Sequence, residues 1–200
     1  MANSDILVKK SNFKPTKQSE NKMQNSLKHN PNSELRIFHL NPRSIVDKLE
    51  NLLEFVQSNK PDLLFLTETW MDSSVPQNSH LLDGYKIIRY DRPEKFKVKY
   101  NKPGNGGGIA ILYKENLIVE KYNGIREDTE EIFWVLVKGS KGLLVGTVYN
   151  TEYCELIKSK KENESIFEQH LREVSATACD VCVLGDFNID LLEKTKPKTK

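Results

Sequence analysis

Apolar residues in this chain fall into short runs of strand length, broken by two stretches with helical spacing. The first run, LRIFHL from Leu35 to Leu40, ends at Asn41-Pro42, where proline removes a backbone donor and stops a ladder. Ser44 reads as a helix cap, with Asp47 three residues on and Ile45, Leu49, Leu52, Leu53 and Val56 at helical spacing up to Asn59-Lys60-Pro61. DLLFLT, Asp62 to Thr67, is continuously apolar, as expected of a strand covered on both faces, and Glu68 follows at its carboxyl end. Further runs lie at Tyr85 to Tyr90, Gly107 to Tyr113, Leu117 to Tyr122, Glu131 to Val137, Leu143 to Tyr149 and Val181 to Leu184. A second helix is predicted over 164–177, with Ile166, Phe167, Leu171 and Val174 on one face.

Two crossover helices among several consecutive strands predict an α/β layered sheet with both directions of pairing, not a helix bundle or a β-sandwich. The folded domain is expected over 34–192. Residues 1–33, rich in Asn, Ser, Lys and Gln, cannot offset their ordering entropy and are expected to be disordered. Residues 193–200 form a basic tail.

A composition of 38% hydrophobic and 29% charged residues in 200 positions suits one medium-sized domain with a real core. No run of about 18 apolar residues could span a bilayer, and the start lacks the apolar stretch of a secretion signal. The expectation is a soluble intracellular protein, nuclear or cytoplasmic, with no membrane partner. Three cysteines, Cys154, Cys179 and Cys182, give no disulfide framework, and Cys179-x-x-Cys182 lacks the second pair that zinc needs. Cys179 and Cys182 read as small buried residues. The net charge of +2 is unevenly spread: residues 1–34 and 191–200 each carry +3, which leaves 35–190 at −4. A middle of that sign needs a bound cation near any phosphate.

Four polar positions stand at carboxyl ends of apolar strands: Asn41, Glu68, Tyr149, and Asp186 with Asn188 in LGDFN. Ligand sites of open α/β sheets gather at that edge. Any one of them alone reads as a loop residue satisfied by a turn. Together, Glu68 and Asp186 with the amides of Asn41 and Asn188 supply the oxygen ligands that a hard cation such as Mg²⁺ takes. Gly104 to Gly108 precedes a strand and so reads as a tight turn, not a phosphate loop. His39 reads as a core or face residue. Trp134 reads as core, whereas Trp70 fits either a core position or a base-stacking one.

The segments LNPRSIVDKLENLLEFVQSNKPDLLFLTETW, GGGIAILY, VGTVYN and VCVLGDFNID, in this order over residues 35–190, resemble the endonuclease/exonuclease/phosphatase superfamily. The opening Asn41-Pro42-Arg43-Ser44 and the block Leu66-Thr67-Glu68-Thr69-Trp70 resemble in particular the apurinic-endonuclease-like domains of non-LTR, LINE-type retrotransposons. The resemblance implies a DNase I-like layered α/β sandwich, two mixed sheets with outer helices, incomplete here at the C-terminus. It implies Mg²⁺-dependent nicking of DNA, with Mn²⁺ as a substitute, no small-molecule cofactor, and a reverse transcriptase domain in the parent protein. Glu68 and Asp186 correspond to metal-binding positions, Asn41 and Asn188 to substrate contacts, and Tyr149, Asp186 and Asn188 to catalytic positions. Arg43 stands where some members carry an acid, and Asn150-Thr151 replaces the family's Arg-Pro-Pro. No Ser-Asp-His block follows Asn188. That departure supports a rival reading, a non-catalytic remnant or binding module of the same fold; a sugar- or lipid-phosphate phosphatase is a third.

Overall fold

Among the described residues, inward and outward side chains alternate along eight strands that build two sheets around a shared core. The computed structural model describes residues 34–45, 47–72, 82–91, 106–125, 132–150 and 165–188. The expectations for 1–33, for 193–200 and for Cys154 lie outside the described residues. The first sheet holds β1 (Ile37–Leu40), β2 (Leu63–Thr67), β3 (Tyr85–Tyr90) and β4 (Ile109–Lys114) in the order β1-β2-β4-β3. The second holds β5 (Val119–Lys121), β6 (Ile132–Val137), β7 (Leu143–Tyr149) and β8 (Asp180–Asp186) in sequence order.

Each sheet contains one parallel pair, β1 with β2 and β7 with β8, and its other pairs are antiparallel. A parallel pair needs a crossover. Helix α1 (Leu49–Asn59) lies in sequence between β1 and β2, and α2 (Ile166–Ser175) between β7 and β8. The fold is the α/β sandwich of two mixed sheets, DNase I-like, that the family resemblance implies.

Leu63, Phe65, Ile109 and Ile111 of the first sheet meet Phe133, Val135, Leu143 and Val145 of the second in one cluster. Behind the first sheet, Leu52 and Val56 of α1 pack on Leu64, Leu66 and Leu112. Behind the second, Val174 of α2 packs on Trp134, Leu144 and Val148. Strand β2 is buried at every position, which is why its sequence does not alternate. Trp134 is a core residue, Cys182 is buried and Cys179 half-buried.

Helix α2 starts on a capping box: Glu168 N–H donates to Ser165 Oγ (3.2 Å) and Ser165 N–H to Glu168 Oε2 (2.8 Å). Helix α1 departs from expectation. It begins at Leu49 behind Lys48, with no side-chain cap, and Ser44 is not its first residue. The reason lies in the backbone donors of the preceding segment. Ser44 N–H donates to Glu68 O at 2.8 Å and Ile45 N–H to Thr69 O at 3.1 Å. Those bonds hold the segment against the loop after β2, and a helix can start only beyond it.

Candidate active site

Where sequence alternation carries the inter-sheet face to the strand ends, the core turns polar. Ile37, Leu63, Phe65, Val145 and Leu184 belong to the inter-sheet cluster. The next residues of the same parity are His39, Thr67, Thr147 and Asp186. His39 Nε2 and Thr67 Oγ1 are hydrogen-bonded at 3.1 Å. Burial lowers the His39 imidazole from 6.5 to about 4, against an opposing pull from Asp186. The buried Thr147 Oγ1 has no hydrogen-bond partner.

Above this layer three of the expected residues converge. The Asn41 amide donates through Nδ2 to Glu68 Oε1 at 2.7 Å and to Asp186 Oδ2 at 2.9 Å. Its Oδ1 accepts from Arg43 N–H at 3.1 Å, which fixes which way the amide faces. Asn41 follows β1 and Glu68 follows β2 in the first sheet, while Asp186 ends β8 in the second. One side-chain nitrogen thus ties the two sheets together and holds two carboxylates, 118 residues apart in sequence (Glu68 to Asp186), around a common point.

Tyr149 is paired with Asp186 in the parallel register of β7 and β8, so it stands beside the cluster. Asn188 N–H donates to Asp186 Oδ1 at 3.3 Å, and Asn188 Nδ2 to Asn150 O at 2.6 Å. One of its two side-chain amide hydrogens is thus committed to the neighbouring loop, while its backbone N–H serves the Asp186 carboxylate. Sequence reasoning missed Asn150 as a structural partner here. Asn150 N–H donates to Asp186 O (2.8 Å) and Asn150 Nδ2 to Phe187 O (2.9 Å), so it clamps the loop that carries Asp186 and Asn188. The only available signal was its place directly after the strand-end tyrosine. His39 was likewise read as packing, although it lies two residues before Asn41 on the same strand face.

The backbone around the cluster is strained. Among the described residues, six non-glycine positions have positive φ: Arg43 (48°), Ser44 (78°), Lys60 (47°), Glu68 (53°), Trp70 (58°) and Asn188 (47°). Lys60 closes α1, and the other five lie in the loops that form the site. Such strain persists where surrounding bonds over-determine it, and it concentrates at functional sites. Here the straps are visible: besides the bonds from Ser44 and Ile45, Thr69 N–H donates to Gly108 O (3.3 Å) and Trp70 N–H to Gly107 O (3.0 Å). Gly107 and Gly108 themselves have φ of 94° and 85°, a conformation that side chains disfavour.

Two carboxylates that converge on one point form a negative pole with oxygen donors only. Among the described residues no three His, Cys, Asp or Glu side chains converge, and His39 Nε2 is engaged by Thr67. The donor set therefore suits a hard cation that takes one or two carboxylates and keeps several waters, as Mg²⁺ does, and does not suit zinc.

The sequence of residues 32–197 matches the Endonuclease/Exonuclease/phosphatase family. The chain belongs to that family. Members of the endonuclease/exonuclease/phosphatase family generally use divalent metal ions. Among solved structures, the chain resembles the endonuclease domain of TRAS1, a telomere-specific non-LTR retrotransposon, with a TM-score of 0.52 and 17% identity over 78% of this chain and 62% of that one. It also resembles an AP endonuclease from Archaeoglobus fulgidus (TM-score 0.51, 20% identity, 78% of this chain and 58% of that one). A third is a 3'-5' exonuclease from Neisseria meningitidis (TM-score 0.50, 19% identity, 78% and 58%). The chain thus spans about three fifths of the length of these proteins. No curated protein matches the sequence.

Proposed function

We propose that the chain is a Mg²⁺-dependent phosphodiesterase that nicks DNA, the endonuclease domain of a non-LTR, LINE-type retrotransposon protein. The observation that carries this reading is the Asn41 amide bridging Glu68 Oε1 and Asp186 Oδ2 across the two sheets. Glu68 and Asp186 would hold the divalent ion, Mg²⁺ or Mn²⁺ in its place. A bound ion of that kind would supply neutralisation of the charge that develops on the phosphate oxygens. Asn41 keeps both carboxylates in place. Asp186 orients the attacking water and accepts its proton on the carboxylate, whose Oδ1 is steadied by Asn188 N–H. Asn188 contacts the phosphate through the Nδ2 hydrogen that its bond to Asn150 O leaves over, and Tyr149 donates a hydrogen bond to it; Asn41, with both Nδ2 hydrogens on the carboxylates and its Oδ1 on Arg43 N–H, positions the carboxylates and does not contact the phosphate. The retrotransposon origin is supported by Asn41-Pro42-Arg43-Ser44 and Leu66-Thr67-Glu68-Thr69-Trp70, and it places a reverse transcriptase domain in the parent protein and the DNA substrate inside the cell.

The test is conversion of supercoiled plasmid to open circle in Mg²⁺, with EDTA as control, by the wild-type chain, Glu68→Ala and Asp186→Ala. The expected result is Mg²⁺-dependent nicking by the wild type and a loss of at least about 100-fold in each variant. Equal activity in all three proteins refutes the site. A wild-type chain that does not nick refutes the catalytic reading in favour of a non-catalytic module of the same fold.

A further inference from the structure

Trp70 behaves unlike its neighbours. Thr69 is 0% and Met71 4% exposed, yet Trp70 between them is 36% exposed, two residues from the Glu68 carboxylate. An apolar ring of this size gains by burial, so its position needs a cause. The backbone supplies one. Trp70 has φ 58°, a left-handed conformation that bulky residues rarely adopt, and its N–H is held by Gly107 O at 3.0 Å. On either side, Thr69 N–H bonds to Gly108 O, Met71 N–H to Thr69 Oγ1 (3.5 Å), and the Arg89 Nη2 to Asp72 O (2.9 Å). The loop is thus strapped from Ser44 and Ile45 on one side and from Gly107, Gly108 and Arg89 on the other. The backbone is hydrogen-bonded on both sides of Trp70 while the residue stays exposed.

Among the described residues, a glycine lies beside the ring. Gly106 lies against the indole nitrogen, where even an added Cβ would stand 3.9 Å away, and Gly107 and Gly108 follow. Glu68, which bonds to Asn41, is two residues before Trp70 on the same loop. An exposed aromatic ring therefore stands two residues from Glu68 on a loop whose backbone is held at both ends.

We propose that Trp70 is a stacking platform for a nucleobase next to the phosphodiester at the Glu68 and Asp186 carboxylates. This rests on the phosphodiesterase reading and sharpens it. The substrate becomes nucleic acid with an accessible base, either single-stranded or locally unpaired, and not a sugar or lipid phosphate. Every base has a π-face, so such a platform fixes the strand beside the scissile bond without reading its sequence.

The chain has two tryptophans, and Trp134 is 3% exposed with its Nε1 bonded to His170 Nδ1, so ligand-dependent fluorescence reports Trp70. The full chain is titrated in EDTA with a mixed-sequence single-stranded oligodeoxynucleotide and with an oligomer of the same length and charge made of abasic residues. The expected result is quenching by the base-bearing strand alone. In anisotropy titrations of a labelled strand, Trp70→Ala binds about tenfold more weakly while Trp70→Phe stays near wild type. Thermal melts of both variants show that they are folded. Equal quenching by the two oligomers, or wild-type affinity in Trp70→Ala, overturns the platform. Plasmid nicking on the same preparations separates the two readings. Nicking without base-dependent quenching removes the platform and leaves the nuclease. Base-dependent quenching without nicking removes the nuclease and leaves a nucleic-acid-binding face.

Discussion

Replacing Asn41 by alanine removes the one group that both carboxylates share. Two hydrogen bonds disappear, 2.7 Å to Glu68 Oε1 and 2.9 Å to Asp186 Oδ2. Bonds to charged groups contribute about 1.5–3 kcal/mol each, and because all three residues are half-buried the lower end applies. The loss is therefore about 3 kcal/mol. In a domain of this size each kcal/mol moves the melting temperature by roughly 2–4 °C, so Asn41→Ala should melt about 6–12 °C lower in EDTA. The variant still carries both carboxylates, now without a shared donor. A divalent ion binding between them at a hundredfold excess over its Kd would restore about 2.7 kcal/mol. Scanning calorimetry in EDTA and then in Mg²⁺ measures both effects. A melt of Asn41→Ala within about 2 °C of wild type in EDTA, less than 1 kcal/mol, would refute the bridge as a link between the sheets.

The His39 imidazole takes up a proton at about 4 in the fold and at 6.5 when unfolded. Between these values the unfolded chain binds more protons, so stability falls as pH drops from 6.5 to about 4 and levels off below, a total of about 3 kcal/mol. Urea unfolding at a series of pH values should show this slope in the wild type and a flatter one in His39→Gln; equal slopes would refute the assignment. At Gly185, φ is 148° and an added Cβ would stand 2.0 Å from Val148 O. Gly185→Ala must push β8 away from β7, and with it Asp186. A loss of at least about 2 kcal/mol is expected in the urea midpoint, together with lost nicking, and an unchanged midpoint would contradict the close approach.

The strands were legible because burial on both faces leaves continuous apolar runs, as in β2 and Leu143–Tyr149, and the two parallel pairs follow from the helices between their strands. Sheet order was not legible. β4 lies between β2 and β3, a placement no local pattern encodes. Asn41, Glu68 and Asp186 could be singled out because each is polar at the end of an apolar run. Their convergence depends on two sheets facing each other, and the Asn41 bond to Asp186 spans 145 residues. Ser44 misled because its residue type suits a cap, whereas its N–H is used by Glu68 O, a partner from another loop. Left-handed φ at Glu68 and Trp70 was equally hidden, since neither residue type favours it and only the surrounding bonds impose it. Trp70, open between two readings in the sequence, is exposed because of that backbone.

Whether one divalent ion sits between Glu68 and Asp186 can be measured directly by anomalous scattering from Mn²⁺-soaked crystals of the wild-type chain. A single strong peak within about 2.5 Å of a carboxylate oxygen of each residue is expected, absent from Glu68→Ala and Asp186→Ala. A peak elsewhere, with these two carboxylates touching only Asn41, would contradict the shared metal site.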